Sequence, residues 1–155
     1  MKRFEFTLNK LMGFKRQLLD REKNSLAVIR SERLQFDTEK SAVIEDLKRS
    51  NEEFNGQSQV GLNIMQINAF KNYHYALHIK IKSIDTAIED CEKRIARQLQ
   101  RVLDATKEVK SLEKLEEKQL EDYNFKLQKA DENFIAEYVN NLTLRRRFSD
   151  DDLLT

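Results

Sequence analysis

The sequence has no proline, and only three of its 155 residues are glycine: Gly13, Gly56 and Gly61. Proline and glycine are the residues that most often end helices and shape turns. An average chain of this length would carry about eight prolines and about eleven glycines. Their scarcity argues against turn-rich folds and favours long uninterrupted helices.

Other absences narrow the class of protein further. Twenty-eight Lys and Arg stand against 27 Asp and Glu, so a net charge of +1 gives no long-range field for nucleic acid or an anionic membrane. Cys91 is the single cysteine and cannot close an intramolecular disulfide, which favours a reducing cytoplasm. Because long apolar runs are missing, we expect neither a signal peptide nor a membrane span. We predict no nucleic acid partner, and contact with a membrane only through another protein.

What the sequence does contain is a long apolar stripe after Gly61. Its members recur with alternating steps of three and four residues, the heptad spacing of a coiled coil, and only His74 and Gln98 interrupt it. A strict heptad period predicts a left-handed supercoil. The stripe consists of Ile67, Phe70, His74, Leu77, Ile81, Ile84, Ile88, Cys91, Ile95, Gln98, Val102, Ala105, Val109 and Leu112.

The first part of the chain carries a weaker stripe of the same kind. Charged residues such as Lys15, Glu22, Arg33 and Lys40 fall on it, so this helix has a less regular face and needs a partner to cover it. We predict a first helix over about residues 4–53. Its apolar members are Phe4, Leu8, Leu11, Leu18, Leu19, Leu26, Ile29, Phe36, Val43, Leu47 and Phe54.

One credible turn separates the two stripes, at about residues 54–62, where Gly56 and Gly61 flank a polar run. Asn63 is expected to cap the second helix, with Gln66 reaching back to it in a capping box. A short connection between two helices makes them antiparallel neighbours.

We therefore predict an all-α fold in which two long helices form an antiparallel coiled-coil hairpin. The hairpin is expected to occupy residues 1–148 as a single unit, with the second and longer helix at about residues 63–143. Residues 149–155 are predicted to be a disordered polar tail.

The second helix is expected to outrun the first. A turn centred near residues 58 and 59 places Phe4 opposite Glu113 and leaves about 30 residues uncovered, or about 45 Å of helix. After a shift of phase the apolar stripe continues there, which indicates a partner site, although self-association or a helix that folds back would also cover it. This part of the stripe consists of Leu115, Leu120, Tyr123, Leu127, Ala130, Phe134, Tyr138 and Leu142.

Candidate chemistry is sparse. His74 and His78 have the spacing of two metal ligands on a helix, but no Cys or third His lies near them in sequence. A two-helix hairpin offers no cleft that would activate a carboxylate, and no phosphate-binding loop or nucleophile motif is present. We expect no catalytic residue, no metal and no cofactor, and so no enzyme. Cys91 is interpreted as a small apolar seam residue and Gln98 as a polar residue that can fix the helix register.

Several segments, taken in order, resemble the FliJ family of flagellar protein export components. The resemblance covers nearly the whole chain and predicts a member of that family. It rests on Phe4-Glu5-Phe6 before Leu8 and Lys10-Leu11, on Gly61-Leu62-Asn63-Ile64 before Phe70, Tyr73 and Leu77, on the block from Val109 to Lys118, and on Arg147-Phe148.

The resemblance implies a non-enzymatic component of the bacterial flagellar type III protein export apparatus, peripheral at the cytoplasmic face of the cell membrane. It implies a central stalk and escort protein whose joined terminal end contacts the export ATPase hexamer. A face near the turn would contact the membrane export gate protein, and export chaperones are further implied partners. Carried over by position, the gate contacts are Phe70, Tyr73, Leu77 and Ile84. The ATPase end is assigned to Leu115, Leu120, Tyr123, Leu127 and Phe134.

Two other interpretations of the sequence stay open. A prefoldin-like coiled-coil chaperone would need strand-forming sequence in the middle of the chain, and residues 51–66 are short and polar. A related stalk of another type III secretion system or of a rotary ATPase would share the heptad period.

Overall fold

A computed structural model describes the backbone of residues 3–151 and the side chains of residues 3–146. Within that part of the chain there are two α-helices and no strand: α1 spans Asn9–Ser58 and α2 spans Ile64–Asp151. The helices pack against each other as an antiparallel hairpin, and α2 is the longer. The predicted all-α fold is confirmed.

A non-helical segment that ends in a turn at Thr7 and Leu8 precedes α1, so the helix begins at Asn9 and not near residue 4 as predicted. Phe6 is buried and Phe4 is half-buried, whereas Arg3 and Glu5 are exposed. Such an alternation has the two-residue period of an extended chain, in which successive side chains point to opposite sides. Phe6 is thus buried, and Phe4 partly buried, by a segment that precedes the helix.

The turn is shorter and later than predicted. The stretch around Gly56 stays helical through Ser58, because one glycine inside a helix costs only about 1 kcal/mol. Gly61 then adopts a φ of 106°, and its N–H donates to the Gln57 carbonyl at 3.1 Å. This is the left-handed cap that glycine provides at a helix end.

The start of α2 follows the predicted capping box. The Asn63 N–H donates to Gln66 Oε1 at 2.9 Å, and the Gln66 N–H donates to Asn63 Oδ1 at 2.9 Å. Two backbone donors that a helix start would leave without partners are satisfied in this way. The cap predicted from Asn63 and Gln66 is confirmed.

Contacts divide the chain into two compact units, one formed by Gln17–Thr106 and the other by Met1–Arg16 with Lys107–Thr155. The single coiled-coil hairpin over residues 1–148 stays a prediction. In a hairpin each turn of helix packs against the stretch that faces it, so distant parts share few contacts. The α2 backbone is helical through Asp151, and the remainder of the predicted tail, residues 152–155, lies outside the described residues.

The Gln17–Thr106 unit holds an apolar seam flanked by ion pairs. Val43, Leu77 and Ile84 form its central cluster, with partly buried apolar side chains packed around them. Lys40 reaches Asp85 at 2.6 Å across the two helices. Further cross-helix ion pairs are Arg94–Glu32 at 2.7 Å, Arg33–Glu92 at 3.0 Å and Lys80–Glu39 at 3.3 Å.

The other unit packs the amino-terminal segment against the middle of α2. Phe6 and Met12 are buried, and Lys15 pairs with Glu108 at 2.5 Å. The ring of Phe4 lies 5.7 Å from that of Tyr123. Every described side chain from residue 128 to residue 146 is exposed.

Candidate partner-binding surfaces

The first surface is the turn-proximal face, defined by Phe70, Tyr73, Leu77 and Ile84. Phe70 stacks on Phe54 with ring centroids 3.9 Å apart, and its ring also lies 3.9 Å from that of His74. These contacts place Phe70 in an aromatic stack between the helices, where it is half-buried. Phe70 is thus chiefly a packing residue with one remaining accessible edge.

Leu77 and Ile84 have packing roles. Their exposed fractions are 9% and 5%, and both belong to the central cluster with Val43. Seam positions of a coiled coil face the partner helix, so these side chains have almost no surface left for another protein. Their assignment as gate contacts stays a prediction, and because they are buried, changing either of them would also act on the fold.

Tyr73 differs from these three residues because 48% of its surface is exposed. It lies beside the seam, so its ring can be covered by a partner without disturbing the core. Tyrosines are frequent anchors of protein interfaces, because the ring supplies apolar area and the hydroxyl can form a hydrogen bond. Of the four sequence-assigned residues on this face, Tyr73 is the most suited to contact another molecule.

The turn itself exposes apolar side chains that the heptad pattern did not single out. Val60 is 91% exposed, and Ile64 and Met65 are also largely exposed. The heptad pattern does not predict them, because they belong to no periodic stripe. The only signal was an apolar residue next to a glycine turn.

The α2 residues opposite the amino-terminal segment keep the original heptad phase. Glu116 and Gln119 are half-buried in seam positions, whereas Leu115 and Leu120 are 38% and 40% exposed. The phase shift predicted at Leu115 comes later along α2, where Leu127 and not Lys126 is half-buried. A helix without a break keeps its seam facing the same partner, even where that seam carries polar residues.

The register between the helices also differs from the prediction. Phe4 meets Tyr123 and not Glu113, because the turn lies later than predicted and because Phe4 precedes the start of α1 and is not part of a helix. Tyr123 is half-buried beside Phe4, and Leu127 is half-buried as well. The uncovered part of α2 consequently starts after Leu127 and is shorter than predicted.

The second surface is the carboxyl-terminal stripe, defined by Phe134, Ile135, Tyr138, Val139 and Leu142. All five side chains are exposed, and Phe134 reaches 70%. Their spacing is that of one helix face, so they form a continuous apolar strip. Ile135 and Val139 were missing from the sequence assignment, although their positions next to Phe134 and Tyr138 widen the same face.

A buried polar contact lies in the seam of the Gln17–Thr106 unit. The Gln98 side-chain amide donates to the backbone carbonyl of Glu22 at 3.0 Å and also to the Glu22 carboxylate. Nearby, the hydrogen bond and the charge of Glu32 raise the pKa of Arg94 above its ordinary value, so this guanidinium stays charged. A buried amide with a defined partner is the kind of group that fixes helix register.

Two further features of the described residues concern clusters of metal ligands and membrane-spanning helices. Among the described residues no group of three or more potential metal ligands lies together. His74 Nε2 lies 3.2 Å from Ser50 Oγ, and the rings of His74 and His78 are 6.5 Å apart. In the described part of the chain, neither helix has a stretch apolar enough to cross a bilayer.

These observations define an antiparallel two-helix coiled-coil protein whose longer helix carries an uncovered apolar stripe. The family model described as flagellar FliJ protein matches residues 4–148, and the chain belongs to this FliJ family. Membership makes it a component of the flagellar export apparatus. Neither a search of curated proteins nor a search of solved structures gave a match.

Proposed function

We propose that this chain acts as the central stalk and escort of the flagellar export apparatus. In this role its joined terminal end contacts the export ATPase ring, and its turn-proximal face contacts the membrane export gate protein. The protein works at the cytoplasmic face of the membrane and acts by binding, without catalysing a reaction.

The observation that carries this proposal is the carboxyl-terminal stripe. Five large apolar side chains on one helix face have no cover within the described chain. Exposed apolar strips of this kind are typical of helices that bind in a groove of another protein. Family membership supplies the class of partner, and the stripe supplies the surface on which an ATPase subunit would pack.

The ATPase contact can be tested by substitutions that leave the hairpin intact. Changing Phe134, Tyr138 and Leu142 together to Ser removes the centre of the stripe and should abolish binding to the purified ATPase in a titration. Phe125→Ser is the control, since Phe125 is exposed and lies about 140° around α2 from Tyr138, the centre of the three changed residues. Equal affinity of the triple variant and the control would refute the assignment.

A truncation provides a second route to the same question. Ending the chain after Leu127 keeps Tyr123 against Phe4, and the side chains that it removes from residues 128–146 are all exposed. The shortened protein should keep its helical circular dichroism and melting transition and lose ATPase binding. A cut after Leu115 would also remove Tyr123, so that unfolding could not be distinguished from loss of the contact.

The gate contact is best tested at Tyr73. Tyr73→Ala should weaken binding to the cytoplasmic part of the gate protein while leaving the melting temperature nearly unchanged. Tyr75→Ala is the control, because Tyr75 is also exposed and lies on nearly the opposite side of the helix. An unchanged gate affinity for Tyr73→Ala would contradict this half of the proposal.

A further inference from the structure

We propose that the carboxyl-terminal stripe also binds a second copy of this chain, in an antiparallel helix pair centred on Tyr138. The order of charged and apolar side chains along one face of α2 favours this pairing. The pairing concerns the isolated protein and does not depend on the proposed export role.

Two exposed charged side chains flank the carboxyl-terminal stripe. Asp131 precedes the apolar residues and Arg145 follows them, and both side chains are exposed. At about 100° per residue, both fall on the helix face that carries Phe134, Tyr138 and Leu142. One face therefore runs from acidic through apolar to basic.

This arrangement of side chains is symmetric about Tyr138. Asp131 and Arg145 are equidistant from Tyr138 in sequence, and so are Phe134 and Leu142. In an antiparallel pair with its twofold axis at Tyr138, Asp131 of one copy faces Arg145 of the other. Phe134 then packs on Leu142, and the two Tyr138 rings meet at the axis.

The charges select this orientation over the alternative. In a parallel pair in register, Asp131 of one copy would face Asp131 of the other, and Arg145 would face Arg145. Like charges would then repel each other at both ends. The antiparallel pair replaces both repulsions with attractions. An interface in which the same patch serves both subunits is the ordinary form of a symmetric dimer.

The apolar content is enough for a weak dimer. Each copy contributes the five exposed side chains of the stripe, which pack along a short helix face. Such an area lies at the low end of specific interfaces, below about 1,200 Å². We therefore expect a reversible dimer that forms as the protein concentration rises.

The pairing has a consequence that rests on the proposed function. The dimer covers the same stripe that the ATPase would bind, so the two complexes exclude each other. Free protein would be held with its apolar stripe covered until the ATPase displaces the second copy.

The test exploits the predicted charge pairing in sedimentation velocity. Asp131→Arg and Arg145→Asp should each weaken dimerisation by about tenfold or more, because like charges then face each other. An equimolar mixture of the two variants should dimerise again, since each supplies the charge that the other needs. Glu137→Arg is the control, with the same charge change on another side of the helix, and should dimerise like the unchanged protein.

Cysteine crosslinking tests the orientation independently. Tyr138→Cys lies at the predicted axis and should form a disulfide between copies on mild oxidation. Phe134→Cys faces Leu142 and should crosslink poorly, whereas a parallel pair would crosslink at both positions. A protein that stays monomeric at all accessible concentrations overturns the proposal, as does a dimer indifferent to charge reversal, or variants that fail to pair when mixed.

Discussion

Two stretches of α2 carry apolar stripes of similar composition, but one stripe is buried and the other is exposed. Between Leu77 and Val109 the stripe is buried against α1 in a seam with flanking ion pairs. Between Phe134 and Leu142 the same kind of stripe is exposed. Since most helical stability comes from packing, the first stretch stabilises the fold and the second is available for binding.

The largest difference should appear in backbone hydrogen exchange. Amides of α2 near Ile84 and Cys91 are expected to exchange only through opening of the seam, slower by orders of magnitude than those of residues 131–146. Mass spectrometry of deuterated peptides measures this. Comparable protection in both stretches of the dilute monomer would show that the carboxyl-terminal stripe is covered within the chain.

A matched pair of leucine substitutions gives the next largest effect. Leu77→Ala removes a buried side chain and should lower the free energy of unfolding by about 2–5 kcal/mol. Leu142→Ala removes an exposed one and should change it by less than about 0.5 kcal/mol. Urea denaturation of both variants checks the contrast, which fails if Leu142→Ala costs as much as Leu77→Ala.

The polar contact within the buried stretch should have an intermediate effect. Gln98→Ala removes the donor to Glu22 and should lower the free energy of unfolding by about 1–3 kcal/mol. Glu22→Ala combined with Gln98→Ala should cost less than the sum of the single changes. Additive costs would mean that the two side chains do not act as a pair.

The smallest effects concern the glycines beside the turn that closes the buried stretch. Gly61→Ala should destabilise the protein by about 1–2 kcal/mol, because Gly61 has a φ of 106°. Gly56 lies within α1, and a Cβ added there would meet no atom within 4 Å. Gly56→Ala should therefore stabilise the protein by about 0.5–1 kcal/mol. Thermal melts check both signs, and a stabilising Gly61→Ala would place the turn elsewhere.

Much of the fold could be predicted because the heptad spacing depends on local sequence alone. The stripe from Ile67 to Leu112, the capping box at Asn63 and the antiparallel hairpin follow from period and end signals. The turn position could not be fixed in the same way. Gly56 and Gly61 give similar signals, and only the packing of the two helices chooses which of them ends α1.

The candidate site was less predictable, for a related reason. Period alone cannot distinguish a seam residue from a surface residue where two apolar phases overlap. Leu115 and Leu120 therefore seemed equivalent to Tyr123, although Glu116 and Gln119 occupy the seam. Leu77 and Ile84 were assigned to a partner by resemblance, while their burial gives them a packing role.

The sequence by itself determined that this protein is a two-helix hairpin, because proline is absent and the heptad period dictates helices that must share a seam. It also determined family membership, through motifs in a fixed order. Only the tertiary structure decided the register, which pairs Phe4 with Tyr123, and with it the point at which α2 loses its cover. Register depends on where the turn closes and on which side chains then meet, and those contacts link residues far apart in the chain.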